Sequence, residues 1–135
     1  MHRHGLEVPP AALSQGNYRF DSGHRAANEL LSAEPRVTAI FASNDEMAAG
    51  VLYAARLRGI AVPDELSIIG FDDTPVTTRV WPPLSTVRWP IVAMGRAAAL
   101  KLIGTAIGED AEVNEPSMFS STLIRRGSVA PPAQT

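Results

Sequence analysis

The pattern of apolar and polar positions along the chain is clearest between residues 37 and 71. VTAIFAS, residues 37–43, is β-branched or apolar almost throughout. Such a run, followed directly by a helix, suits a strand covered on both faces. It ends on Asn44, Asp45 and Glu46, after which Met47, Ala48, Val51, Leu52 and Ala55 fall on one helical face. A helix is therefore expected from about Asp45 to Arg58, with Gly59 as its C-terminal stop. IAVPDE then reads as a loop and LSIIGF, residues 66–71, as a second buried strand. Strand, helix and strand with short joins make a right-handed βαβ unit with a parallel pair.

Around this unit the pattern is looser. Gly5, Pro9, Pro10 and Gly16 mark residues 1–19 as an irregular leading segment. From Asp21, helical spacing of Ala26, Ala27, Leu30 and Leu31 predicts a helix that Pro35 stops. Asp72 and Asp73 open a proline-rich irregular stretch reaching Pro82 and Pro83, and STVRW, residues 85–89, predicts a short strand. Pro90 suits the first position of a helix running to about Ile107, because its missing N–H costs nothing there. MFSSTLIRR, residues 118–126, is the last strand candidate, and APPAQT reads as a frayed tail.

Composition narrows the class. The 135 residues suit one domain, large enough to bury a core without covalent staples. A net charge of −2, with Lys101 the single lysine and the arginines scattered, argues against this chain by itself gripping a nucleic-acid backbone. The lack of cysteine excludes disulfides and thiolate metal sites and fits a cytoplasmic protein. MHRHGLEVPPAAL has no apolar signal core, and no apolar run approaches membrane-spanning length, so no membrane partner is expected. His2 and His4 lack a third histidine nearby and read as a loose polar terminus, not a metal site. Neither metal nor cofactor is expected.

The chemistry-bearing residues gather where the two predicted strands end. In a parallel sheet, ligands bind outside the carboxyl ends of the strands. Asn44 follows the first strand and Asp72 the second, so both should emerge at one rim. An amide beside a carboxylate suits a polyol or sugar, since the carboxylate accepts from two hydroxyls at once. The same residues fit a plainer reading. Asn and Asp are favoured helix caps, Ser43 with Glu46 matches a capping box, and Asp72-Asp73-Thr74-Pro75 matches a turn. Pattern alone favours caps and turns. Asp45, Glu46, Asp72 and Asp73 could in principle supply an acid–base pair or hold magnesium, but there is no activated nucleophile, GxSxG elbow or glycine-rich phosphate loop. No catalytic residue is assigned.

Taken together, these motifs carry a family resemblance. AIFASNDEMAAGVLYAARLRGIAVPDELSIIGFDDTPVTTRVWPPLSTVRWPIVAMG, followed by LIRRGS at residues 123–128, resembles the C-terminal part of LacI/GalR-family transcriptional regulators. The family pattern is an apolar strand, NDxxAxG, a helix, GxxVPxDxSxxGFDD, PPLTTV, a long helix with an early glycine, and LIxRxS. The likeness spans about Ala26 to Ser128, with Ser85 standing where PPLTTV has its first threonine.

The resemblance implies an α/β, partial periplasmic-binding-protein-like type I fold: a parallel sheet flanked by helices, mostly the C-terminal one of two subdomains hinged around an effector cleft. It assigns Asn44 and Asp72 to a sugar-like effector and Tyr18 to stacking on it, with Phe20 the lesser candidate. It leaves Asp45 and Asp73 as cap and turn residues. Trp89 is placed beside the subdomain crossing, lining the cleft or packing in core or hinge. About 1–86 and 112–128 would belong to the C-terminal subdomain, and about 87–111 to a crossover strand and helix of the N-terminal one. The chain then reads as a truncated effector-binding domain without the helix-turn-helix that enters the major groove, so operator DNA is a partner only through a domain absent here. The first strand and helix of the C-terminal subdomain, which carry an effector-gripping arginine, are absent too. The expected function is the effector-sensing module of such a regulator. The alternative is a fragment of a periplasmic sugar-binding protein of a transport system, and an enzyme comes third. With half the cleft missing, the effector should bind weakly or not at all. The helix after Pro90, with Ile91, Met94, Ala98, Leu100, Leu102 and Ile103, should be left uncovered and draw copies together as a homo-oligomer, helped by the surface around the helix after Asp45 and the loop near Val80.

Overall fold

In the computed structural model, which describes Gly5 and residues 7–33, 37–106 and 118–131, the apolar run before Asn44 forms strand β1 (Ala39–Phe41). Helix α1 (Phe20–Leu30) precedes it and helix α2 (Asp45–Leu57) follows it. Strands β2 (Ser67–Phe71) and β3 (Ser85–Arg88), helix α3 (Ile91–Ala106) and strand β4 (Thr122–Ile124) complete the order. The strands form one sheet, β1-β2-β3-β4, with β1, β2 and β3 parallel and β4 antiparallel to β3. The predicted βαβ unit is thus present, and each predicted strand and helix exists. The leading segment is irregular apart from a 3-10 turn at Pro10–Ala12. The stop expected at Pro35, the helix end at Ile107, the tail beyond Pro131, and His2 and His4 lie outside the described residues.

Helix α1 docks along α2 through backbone-to-backbone proximity. Gly23 lies against the main chain of Met47, and Gly50 against the carbonyl of Phe20, so a Cβ at either position would collide with backbone. At its far end, Arg58 donates to the Asn28 carbonyl at 2.9 Å, the Asn28 side chain at 3.0 Å and the Ser32 hydroxyl at 2.9 Å, tying the two helices together. Beneath α2 lies the core of the domain, where Leu66, Ile68 and Leu84 are completely buried among Ala48, Ala54 and Ala55. Each such leucine-sized side chain contributes about 1.5–3 kcal/mol by leaving water.

One expectation is overturned. The first strand does not run over residues 37–43 and is not covered on both faces: Ile40 is buried, whereas Phe41 is 60% exposed. Ile40, Ile68, Gly70 and Thr86 share the face beneath α2, and Phe41, Ile69, Phe71 and Val87 share the other. Among the described residues no helix lies over Phe41, so an apolar run suited to double coverage receives it on one side only.

Helix α3 is apolar and largely bare, with Ile91, Val92, Leu102 and Ile103 more than half exposed and Gly104 its single buried residue. No other described element packs broadly against it. Pro90 sits one position before the helix, where its carbonyl accepts from Met94 N at 3.0 Å.

After β4 the chain passes the starts of β3 and β2. Ser128 is fully buried; its carbonyl accepts from Ile68 N at 2.8 Å, and its hydroxyl donates to Ile68 O at 2.6 Å and accepts from Ser85 N at 2.8 Å. Its hydroxyl thus bridges Ser85 N to Ile68 O, standing between β2 and β3 where their direct pairing begins only at Ile69 and Ser85.

Candidate functional site

Asn44 and Asp72 leave the sheet at the same edge. Phe41 of β1 pairs in register with Ile69 of β2, the strands run parallel, and each polar residue lies three positions beyond its paired residue. Asn44 is the N-cap of α2: its Oδ1 accepts from Met47 N at 2.9 Å, in the extended conformation a cap requires. The cap is thus Asn44 itself, and neither the Ser43–Glu46 capping box nor Asp45 supplies it. The Nδ2 donates to the Tyr18 carbonyl at 2.9 Å. Two of the four hydrogen bonds an amide can make are thereby used, leaving one N–H and one lone pair for something else.

Tyr18 is thus joined to Asn44 through its main chain, held at φ 66, while the residue is 71% exposed and its ring pairs with no other described ring. Phe20 is engaged elsewhere: its ring meets that of Tyr53 on α2 at 5.7 Å. Trp89, just beyond β3, comes directly to Asp72. Its Nε1 donates to Asp72 Oδ1 at 3.2 Å, and its ring packs on Phe71 at 5.7 Å. Asp72 Oδ2 has no hydrogen bond among the described residues. Burial raises the Asp72 carboxyl above the ordinary aspartate range; the Trp89 bond opposes this and the nearby Asp45 charge adds to it.

Asp45 does not cap α2, and both it and Asp73 bind groups far along the chain. Asp45 is 0% exposed and accepts from Thr74 N at 2.6 Å, Thr74 Oγ1 at 3.1 Å and Thr86 Oγ1 at 2.6 Å, joining the start of α2 to the segment after β2 and to the second residue of β3. It fits because Gly70 has no Cβ; one there would overlap the Asp45 carboxylate. Asp73 has left-handed backbone just past β2, at φ 57, and its carboxylate is gripped by Arg88 Nε and Arg126 Nη2, both at 2.6 Å. Burial alone would raise its carboxyl, but the two guanidinium groups outweigh that and hold it below the ordinary value. The sequence reads Thr74 only as part of a turn and gives Thr86, Arg88 and Arg126 no role, since no local spacing links them to the two acids.

Among the described residues no group of three histidines or acids is placed to hold a metal. An apolar groove of about 560 Å³ lined by Leu13, Ala26, Phe41 and Met47 lies between the leading segment, α1 and β1, and neither Asn44 nor Asp72 lines it.

Residues 1–129 match the family described as "Periplasmic binding protein-like domain". The chain is 38% identical over 130 residues to the HTH-type transcriptional regulator GalS of Salmonella typhimurium, covering 96% of this chain and 38% of GalS. Among solved structures, a sugar-binding LacI-family transcriptional regulator from Escherichia coli complexed with phosphate superposes with a TM-score of 0.85 at 36% identity, covering 96% of this chain and 46% of that one. The transcriptional regulator CelR in complex with cellobiose gives 0.84 at 33% identity, covering 94% and 38%. The chain spans less than half the length of the relatives it matches.

Proposed function

This chain belongs to the periplasmic binding protein-like domain family in the form carried by LacI/GalR-type regulators, and from that premise we propose that it senses a sugar-like effector for a DNA-binding transcriptional regulator. The observation that carries the reading is the shared edge, where Asn44 and Asp72 emerge together from parallel strands. Asp72 Oδ2 accepts an effector hydroxyl, and the spare N–H and lone pair of Asn44 hold another. Tyr18 and Trp89 offer aromatic faces to sugar C–H groups; Phe20, engaged with Tyr53, contributes less. The chain acts by binding and not by catalysis, in the cytoplasm.

Residues of about 1–86 and 112–128 form one subdomain, and about 87–111 cross into a second; that no other described element packs broadly against α3 supports that division. Effector closure then biases two arrangements of the subdomains and is read by the DNA-binding part of the intact regulator. At a net charge of −2, operator contact falls to other residues than these. The bare face of α3 draws copies together as a homo-oligomer. A transport-system binding protein is the weaker reading, because the relatives are named as regulators.

The test is a panel of saccharides, cellobiose included, added at millimolar concentration to isotopically labelled chain. The Asn44 side-chain amide and the Trp89 indole should both shift, and Asp72→Ala should abolish the response. Silence at both positions across the panel, or a response that survives Asp72→Ala, overturns the assignment.

A further inference from the structure

Two consecutive aspartates hold left-handed backbone where β2 ends, Asp72 at φ 105 and Asp73 at φ 57. Aspartate tolerates φ near +57, but +105 lies beyond the left-handed well that residues with a Cβ ordinarily visit. Such a conformation persists only where the surroundings over-determine it. Here they do. The Thr74 N–H ends on Asp45 Oδ2 directly, and the Asp73 N–H reaches Thr86 Oγ1 at 3.4 Å, whose hydroxyl donates onward to Asp45 Oδ1 at 2.6 Å. From the opposite side Arg88 and Arg126 pin the Asp73 carboxylate. Asp72 is therefore carried on a short arch whose following N–H groups converge on one buried carboxylate.

We propose that Asp45 is a positioning residue: through Thr74 and Thr86 it sets the direction in which the Asp72 carboxylate leaves the sheet edge, and so the geometry of effector recognition. The proposal rests on Asp72 being an effector contact. Burying a carboxylate is costly, and an apolar group of similar size would fill the slot beneath α2 without that cost. An apolar group would offer the two N–H groups nothing, leaving the strained arch unheld. The groups that act on Asp72 are the Trp89 indole beyond β3 and the Asp45 carboxylate of α2, while the charge of Asp73, the next residue, is met by Arg88 and Arg126. Asp45 acts on Asp72 by geometry and also by charge.

Trp89 supplies a readout that needs no effector. The chain has two tryptophans, and Trp81, 77% exposed, serves as the internal control. In the full labelled chain, the Trp89 indole N–H signal should follow Asp72 ionisation, with a midpoint above the ordinary aspartate value. Thr86→Val keeps the Asp45 charge but removes the relay; it should displace the Trp89 signal and its midpoint while Trp81 stays unmoved, and Thr86→Ser should restore both. Asp45→Asn should lower the midpoint, since a neighbouring negative charge is lost. Should Thr86→Val not fold, the smaller Thr86→Ala removes the same relay and carries the same test. The proposal is overturned if these variants lower thermal stability yet leave the Trp89 signal and midpoint as in the parent, for Asp45 is then merely structural. Failure of the saccharide panel leaves this titration untouched, so the two readings fail separately.

Discussion

Replacing Ser128 by alanine tests how the returning C-terminal segment is held. The single hydroxyl of Ser128 serves two buried backbone groups, accepting from Ser85 N at 2.8 Å and donating to Ile68 O at 2.6 Å. Both residues are buried in the sheet, so alanine strands an N–H and leaves a carbonyl without its partner. An orphaned buried group costs about 1–3 kcal/mol, the carbonyl falling at the low end, which gives a loss of about 2–4 kcal/mol. Set against a domain stability of about 5–15 kcal/mol, that is a large fraction. With a urea slope of about 2 kcal/mol per molar, the midpoint followed by circular dichroism should fall by about 1–2 M. Ser67→Ala is the comparison. Its hydroxyl exchanges two 3.1 Å bonds with Ala130 at a half-buried position, where water can replace it, so its loss should stay under about 1 kcal/mol. A Ser128→Ala chain within about 0.5 kcal/mol of the parent, or less affected than Ser67→Ala, would refute the reasoning.

Four further outcomes are expected. Because the folded-state carboxyl of Asp73 is lowered, its contribution is fully present above the ordinary aspartate value and is lost as pH falls through the lowered one; Asp73→Asn should therefore flatten the fall of thermal midpoint below about pH 4. Asp72, raised, works in the opposite sense: its penalty stands above its folded value and is relieved as pH falls through that value toward the ordinary one, so Asp72→Asn should raise stability at neutral pH and leave it unchanged in strong acid. Gly70→Ala should cost about 1–3 kcal/mol in thermal or urea unfolding, because its Cβ lands on the Asp45 carboxylate; a neutral result would show that the slot is looser than drawn. The bare face of α3 should make the chain self-associate in sedimentation velocity, and Leu102→Glu with Ile103→Glu should shift it toward monomer, each side chain being worth about 1.5–3 kcal/mol when buried. A monomeric parent at high concentration that binds no apolar dye would defeat that expectation.

The amino-acid sequence by itself determined the kind and order of the elements. Hydrophobic periodicity is a local property, and it marked β1, α2 and β2 and their parallel pairing. That pairing in turn brought Asn44 and Asp72 to one edge. What no local pattern carries is the identity of a partner far along the chain. Asp45 finds Thr74 and Thr86 at separations of 29 and 41 residues, and Asp73 finds Arg126 at 53. The one-sided cover of Phe41 is likewise decided by where helices end up, because an apolar side chain records what it suits and not what arrives. An aspartate in a turn reads the same whether water or a buried threonine answers it. Only the tertiary structure chose, since a hydrogen bond depends on distance and direction within a few tenths of an ångström, and the folded backbone alone sets those.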